Sequence, residues 1–205
     1  NIVLIFDECT SGFRETNGGI FKKYNVTPDL AMFGKTLGNG YAITAVVGKK
    51  SVMEAAQKTF ISSTFWTERI GPTAANKTLE IMDKIKSWEI ITKKGNKIRK
   101  GWQNLSDNYK LPIKLSAIPA VSSFKFLSEN HYFYRTLITQ ELLKKNILAS
   151  TQFYACTEHK QSHIDMYLEE LDKIFSIISK AENGDLDIKK LIDNKVCHTG
   201  FSRLN

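Results

Sequence analysis

The sequence predicts an α/β protein in three parts. Residues 1–104 read as a unit with a mainly parallel sheet and a long connecting helix, residues 105–182 as a small α+β domain, and residues 183–205 as a tail. Three observations lead to this. Two short apolar runs, Asn1 to Phe6 and Leu30 to Phe33, have the length and β-branched or apolar character of sheet strands, and each ends abruptly on a residue capable of chemistry. From Pro72 onward, apolar residues recur at helical spacing through Ala74, Ala75, Leu79, Met82 and Ile85. After Leu105 the pattern changes to short strands and two further helices.

Taken in order, Asn1 to Phe6 reads as a strand covered on both faces, and Asp7-Glu8 follows it directly. Gly12 to Tyr24 reads as a connector with a turn at Gly18-Gly19 and a short helix. Leu30 to Phe33 delivers Lys35 between Gly34 and the segment Thr36-Leu37-Gly38-Asn39-Gly40. Tyr41 to Val47 suits another strand, and Ser51 and Glu54 have capping-box spacing for a helix beginning near Ser51. Phe60 to Trp66 is uncharged and carries Ser62, Ser63 and Thr64, whose hydroxyls are suitable donors for a phosphate or residues of a turn. Pro72 fits the first turn of a long helix, which the pattern continues through Trp88, Ile91, Ile98 and Trp102. Beyond it, Ile113 to Ile118 and Val121 to Phe126 read as strands, Tyr132 to Lys145 as a helix, Ile147 to Ser150 as a short strand, and His163 to Ala181 as an amphipathic helix. A loosely packed helix and tail follow the break at Gly184.

In an open α/β sheet, ligands collect at the carboxyl ends of strands, so Asp7 and Lys35 stand where a site would be. Taken singly, Asp7 reads as a cap and Lys35 as a solvated charge. Together they match one chemistry. A lysine can attack an aldehyde, and a carboxylate opposite a pyridine nitrogen keeps that ring protonated as an electron sink, the requirements of a pyridoxal phosphate site. Gly34-Lys35-Thr36 is not the end of a Walker loop, because Asp29 stands where that loop needs a glycine.

The sequence resembles the class III, or ω-type, pyridoxal-phosphate-dependent aminotransferases, and within them the glutamate-1-semialdehyde 2,1-aminomutase-like proteins. The residues that carry the likeness are Leu4-Ile5-Phe6-Asp7-Glu8, Thr10-Ser11-Gly12-Phe13-Arg14, Gly18-Gly19, Val26-Thr27-Pro28-Asp29-Leu30 and Gly34 to Gly40, strong as far as about Met82. The resemblance implies a fold type I transferase with pyridoxal 5'-phosphate as cofactor, Asp7 on its ring nitrogen and Lys35 forming the internal aldimine. It implies that Cys9, where the family usually has valine, packs against the ring as a small apolar group. Ser63-Thr64-Phe65, with Gly71 to Ala75, is similar to the element that binds the cofactor phosphate of a neighbouring subunit, which gives that role to Thr64 and implies a homodimer with the site at the subunit interface. Tyr154 stands where the aminomutases carry a substrate-pocket glutamate, so sugar, amino-acid and semialdehyde substrates stay open. His159 matches a recurrent histidine for which a structural or capping role stands beside a catalytic one, and it is left outside the catalytic set.

The chain opens inside a strand, without methionine and without the family's amino-terminal half, and reads as part of a longer protein. Transamination of small-molecule amines and carbonyls, intramolecular amino transfer by an aminomutase, and a truncated non-catalytic remnant are the three open readings. The net charge of +8 gathers in Lys84 to Lys100, and with no nucleic-acid-binding motif beside it we assign it to a solvated helix face. Cys9, Cys156 and Cys197 are odd in number and lack metal-ligand spacing, which fits free thiols in the cytoplasm; no run has the length and apolarity of a membrane span.

Overall fold

In the computed structural model, residues 2–116, 118–193 and 195–198 are described. The chain divides into two compact units, Asn1–Thr92 and Lys93–Asn205. The boundary read from the sequence, at 104, and the division at Thr92 both fall within one helix, Ser87–Tyr109.

The first unit contains a three-stranded sheet of β1 (Ile5–Asp7), β2 (Leu30–Phe33) and β3 (Ala45–Gly48), in that order. β1 and β2 are parallel, with Ile5 opposite Leu30, Phe6 opposite Ala31 and Asp7 opposite Met32. β3 enters antiparallel to β2, so the parallel character rests on the first pair. The opening strand is shorter than its apolar run and is not covered on both faces: Ile2, Val3, Leu4 and Ile5 are exposed. Before the strand, the Leu4 carbonyl accepts the amides of Asp29 and of Leu30 at the start of β2, and its own amide donates to the Asp29 carboxylate.

Helix α1 (Lys50–Met53) starts a residue before Ser51, with Lys49 at its N-cap and no side-chain cap, so the capping box read at Ser51 and Glu54 is not formed. Helix α2 (Ile70–Ile85) does hold Pro72 in its first turn and buries Gly71, Ala75 and Met82. It does not continue smoothly. Lys86 adopts a left-handed conformation with φ of 50°, which ends α2 before α3 (Ser87–Tyr109) begins. The apolar period runs through both helices because it reports which faces are buried and not whether the backbone is continuous. Phe13, Ala31, Phe33, Leu37, Ala75 and Met82 form the core of this unit, with the Phe13 and Phe33 rings 5.2 Å apart.

The second unit has an antiparallel sheet of β4 (Ile113–Leu115), β5 (Val121–Phe126) and β6 (Gln152–Tyr154), packed with α4 (His131–Leu143) and α5 (Gln161–Glu182). β5 alternates as a half-buried strand should, with Ser122, Phe124 and Phe126 inward. Trp102, Phe124, Phe126, Tyr134 and Phe175 fill the core, and the indole N–H of Trp102 donates to the Tyr167 hydroxyl at 2.9 Å. On α5, Ile164, Tyr167, Leu171, Ile174, Phe175 and Ile178 are buried as the stripe requires, while Leu168 is half-buried.

Two elements of this unit differ from the sequence reading. Ile147 to Ser150 is no strand: Asn146 turns left-handed, the Ile147 amide donates back to the Leu142 carbonyl to close α4, and the strand forms at Gln152–Tyr154 where β5 is available to pair. The strand begun at Ile113 stops at Leu115, although Ser116 still donates its amide to Ser123. Within the tail, residues 188–191 make a 3-10 turn whose start is capped by Asp187; residue 194 and residues 199–205 of the tail, with Asn1 and Ala117, lie outside the described residues.

Candidate active site

The parallel pairing of β1 and β2 places their carboxyl ends at the same edge of the sheet, and Asp7 and Lys35 are delivered there. Asp7 is the last residue of β1, and Gly34 extends β2 by one residue before the chain turns at Lys35. Lys35 has φ of 39°, a left-handed backbone that an L residue rarely takes without local support. The support is visible: the Leu37 amide donates to the Gly34 carbonyl at 2.9 Å and the Asn39 amide to the Lys35 carbonyl at 3.0 Å.

The side chains at this edge are held by hydrogen bonds. The Cys9 amide donates to Asp7 Oδ1 at 3.0 Å, and Lys35 Nζ donates to Thr10 Oγ1 at 2.9 Å. The Cys9 amide, then its thiol, hold the Asp7 carboxyl below the usual carboxylate range against an opposing effect of desolvation, with a lesser contribution from the nearby Lys35 ammonium. The same contact pushes the Cys9 thiol up, so it stays protonated and behaves as the small neutral group its position suggested. Cys9 Sγ and a methyl of Thr44 also flank Gly34, where an added Cβ would lie 3.5 Å and 3.4 Å from them.

Asp7, Cys9 and Lys35 are thus brought together in the first unit, and Thr10, to which the sequence reading gave no role, joins them. The donor set fits a pyridoxal phosphate ring: an ionised carboxylate for a protonated nitrogen, a primary amine for an aldehyde, and a small half-buried side chain beside them. Thr64 is exposed in the irregular stretch before α2, and among the described contacts none joins it to Asp7, Cys9 or Lys35. Its neighbour Ser63 accepts the Phe65 amide at 3.1 Å, the turn chemistry that was the alternative reading of these hydroxyls.

Tyr154 belongs to the second unit. It closes β6 opposite Val121, is half exposed, and lines a cavity of about 480 Å³ with Leu148, Phe153, His159 and Met166. His159 Nδ1 accepts the Cys156 amide at 3.1 Å and its ring centroid lies 4.9 Å from that of Phe153, an arrangement of a turn-closing residue. Burial, with Lys94 and His163 nearby, lowers its pKa and favours the neutral ring that such an acceptor needs. Among the described residues no group of three or more His, Cys, Asp or Glu side chains is placed to hold a metal, and no helix is long and apolar enough to cross a membrane.

Besides Thr10, Glu8 carries more than its place in the sequence suggested. Glu8 is 1% exposed, its carboxylate enclosed immediately behind Asp7. Successive strand residues point to opposite faces, so of two adjacent acids at a strand end one must turn inward. That was the available signal.

The fold that carries this sheet edge is shared with known transaminases. The structure superposes on the Sphingopyxis sp. MTA144 FumI protein, in its PLP internal aldimine form, with a TM-score of 0.79 and 23% identity over 92% of this chain and 46% of that one. An S-selective transaminase from Arthrobacter sp. with alanine bound gives 0.74 at 20% identity, over 88% and 46% of the two chains. These likenesses define the fold as that of the type I transaminases. The family model Aminotransferase class-III matches residues 1–151, and the chain belongs to that family. Among curated relatives, 3-aminobutyryl-CoA aminotransferase of Cloacimonas acidaminovorans (strain Evry) is 33% identical over 87% of this chain and 44% of its own length. Glutamate-1-semialdehyde 2,1-aminomutase of Methanosphaera stadtmanae is 28% identical over 83% and 44%. The chain spans less than half the length of these relatives.

Proposed function

We propose that this chain is part of a cytoplasmic, pyridoxal-phosphate-dependent enzyme that transfers an amino group between small-molecule amines and carbonyls, its substrate an amino acid, a semialdehyde or an amino sugar. The observation that carries the reading is the pairing of Asp7 and Lys35 at the adjoining carboxyl ends of parallel β1 and β2. Pyridoxal phosphate, when bound, supplies a protonated ring that accepts the electron pair released as the substrate's carbon–hydrogen bond breaks. Lys35 would hold the cofactor through its amine, and the same Nζ, when free, would take a proton from one carbon and return it to another. Thr10 Oγ1 gives that amine a fixed resting position at 2.9 Å. Asp7, kept ionised by the Cys9 amide and thiol and by Lys35, holds the proton on the ring nitrogen, and Cys9 packs beside the ring.

In this reading Thr64 contributes its hydroxyl to the cofactor phosphate of a neighbouring subunit, which requires a homodimer, and Tyr154 faces substrate. The second reading, intramolecular transfer, is favoured by the aminomutases among the relatives. One experiment separates the two. The full-length protein is incubated with pyridoxal phosphate, an amine donor carrying isotopically labelled nitrogen, and an unlabelled carbonyl acceptor. Label arriving on the acceptor is the expected result; label found instead on the neighbouring carbon of the donor's own skeleton, when the donor carries a carbonyl beside its amine, selects the aminomutase; no movement of label overturns both.

A further inference from the structure

The enclosed carboxylate of Glu8 has no part in the chemistry above, yet every polar group of this residue is engaged. Its amide donates to the Met32 carbonyl at 2.8 Å, continuing the β1–β2 pairing one residue beyond the strand. Its carbonyl accepts the Gly12 amide at 2.8 Å. Of its carboxylate oxygens, Oε2 accepts the Ser11 hydroxyl at 2.5 Å and Oε1 accepts the Phe21 amide at 3.3 Å. A carboxylate costs free energy to bury unless hydrogen bonds replace the lost water, and these two donors supply that replacement. The turn they close is tight: a Cβ on Gly12 would lie 2.7 Å from the Glu8 carbonyl oxygen and 2.7 Å from the Phe33 ring, so this position accepts no larger residue without movement.

What this knot encloses is the segment that meets Lys35. Asp7 precedes Glu8 directly; Cys9, which donates to Asp7, and Thr10, which accepts from Lys35, lie between Glu8 and the Ser11 hydroxyl bound to its side chain. We propose that Glu8 is a positioning residue for the lysine: its enclosed carboxylate fixes the turn of residues 8–12 against Phe21 and thereby sets where Thr10 Oγ1 receives Lys35 Nζ. The proposal rests on the amino-transfer reading only for what Lys35 does next. The placement itself is a property of the chain without cofactor.

The test therefore uses the cofactor-free full-length protein. Its readout is the rate at which an amine-acetylating reagent labels Lys35, measured by mass spectrometry at fixed pH against the exposed Lys58 as an internal standard. Thr10→Val removes the acceptor and sets the reference, an expected rise in Lys35 labelling of about three-fold, the scale of one modest net hydrogen bond. Glu8→Ala should reproduce the Thr10→Val rate with Lys58 unchanged. Glu8→Gln should restore the wild-type rate, because its carbonyl can accept the Phe21 amide while its NH₂ donates to a reoriented Ser11 hydroxyl. A purely structural role for Glu8 would lower stability without making Glu8→Ala match Thr10→Val. Wild-type labelling in folded Glu8→Ala, or no rescue by Glu8→Gln, overturns the proposal. Should Glu8→Ala not fold, Ser11→Ala takes its place: faster labelling supports the positioning role and an unchanged rate overturns it. Because none of these rates requires bound pyridoxal phosphate, failure of the amino-transfer reading would leave this result standing, and the reverse also holds.

Discussion

On the amino-transfer reading, Lys35→Ala in the full-length protein is expected to reduce activity by about 10³-fold or more, since general acid–base catalysis alone contributes roughly 10² to 10⁴ and the proposed nucleophile for the cofactor is lost with it. Alanine also removes the donor to Thr10 Oγ1, so no neighbouring group inherits the fixed amine. The effect should fall on kcat, with binding of the substrate changed far less, because the amine acts on the reacting carbon atoms and not on the remainder of the substrate. Steady-state kinetics on the purified variant check this. Activity within tenfold of wild type would show that another group moves the proton.

Asp7→Asn is expected to be the second most damaging change, a loss of about 10² to 10³ in kcat, the scale for removing one pre-placed electrostatic group from a site. Asparagine matches aspartate in size and can still accept the Cys9 amide, so the local geometry should survive. It carries no charge to keep a ring nitrogen protonated. The two variants are distinguished by cofactor attachment: Asp7→Asn retains a covalent link through Lys35, and Lys35→Ala has none. The pH profile bears on the same residue. Because the Cys9 contacts and Lys35 hold the Asp7 carboxyl below its ordinary range, this group keeps its charge as pH falls to the usual carboxylate range and is lost to protonation only below it. The acid limb of the wild-type profile should therefore not come from Asp7 at ordinary carboxylate values.

Much of this was legible in the sequence, and the parts that were not have physical reasons. The limits of β2 and β5 followed from apolar runs with clear punctuation, and the inward face of α5 from its spacing. Asp7 and Lys35 were readable as a pair because parallel strands deliver their ends to one edge, a rule that needs no knowledge of side-chain packing. The direction of β3 was not readable, since an apolar run carries no mark of whether its partner runs with or against it. Lys86 was missed because helical period survives a left-handed residue. β6 was placed too early because Ile147 to Ser150 is as apolar as a strand, while Gln152–Tyr154 becomes one only where β5 offers free pairing groups. Thr10 was passed over for a similar reason: a threonine becomes a lysine's acceptor only after the turn at residues 8–12 has folded.

The central claim is that Lys35 is the amine that attaches the cofactor. Its direct test is borohydride reduction of the full-length protein after addition of pyridoxal phosphate, followed by digestion and mass spectrometry. The account predicts a reduced pyridoxyl adduct on the peptide that contains Lys35, absent in Lys35→Ala and present in Asp7→Asn. An adduct confined to a different lysine, or none on any, would contradict it.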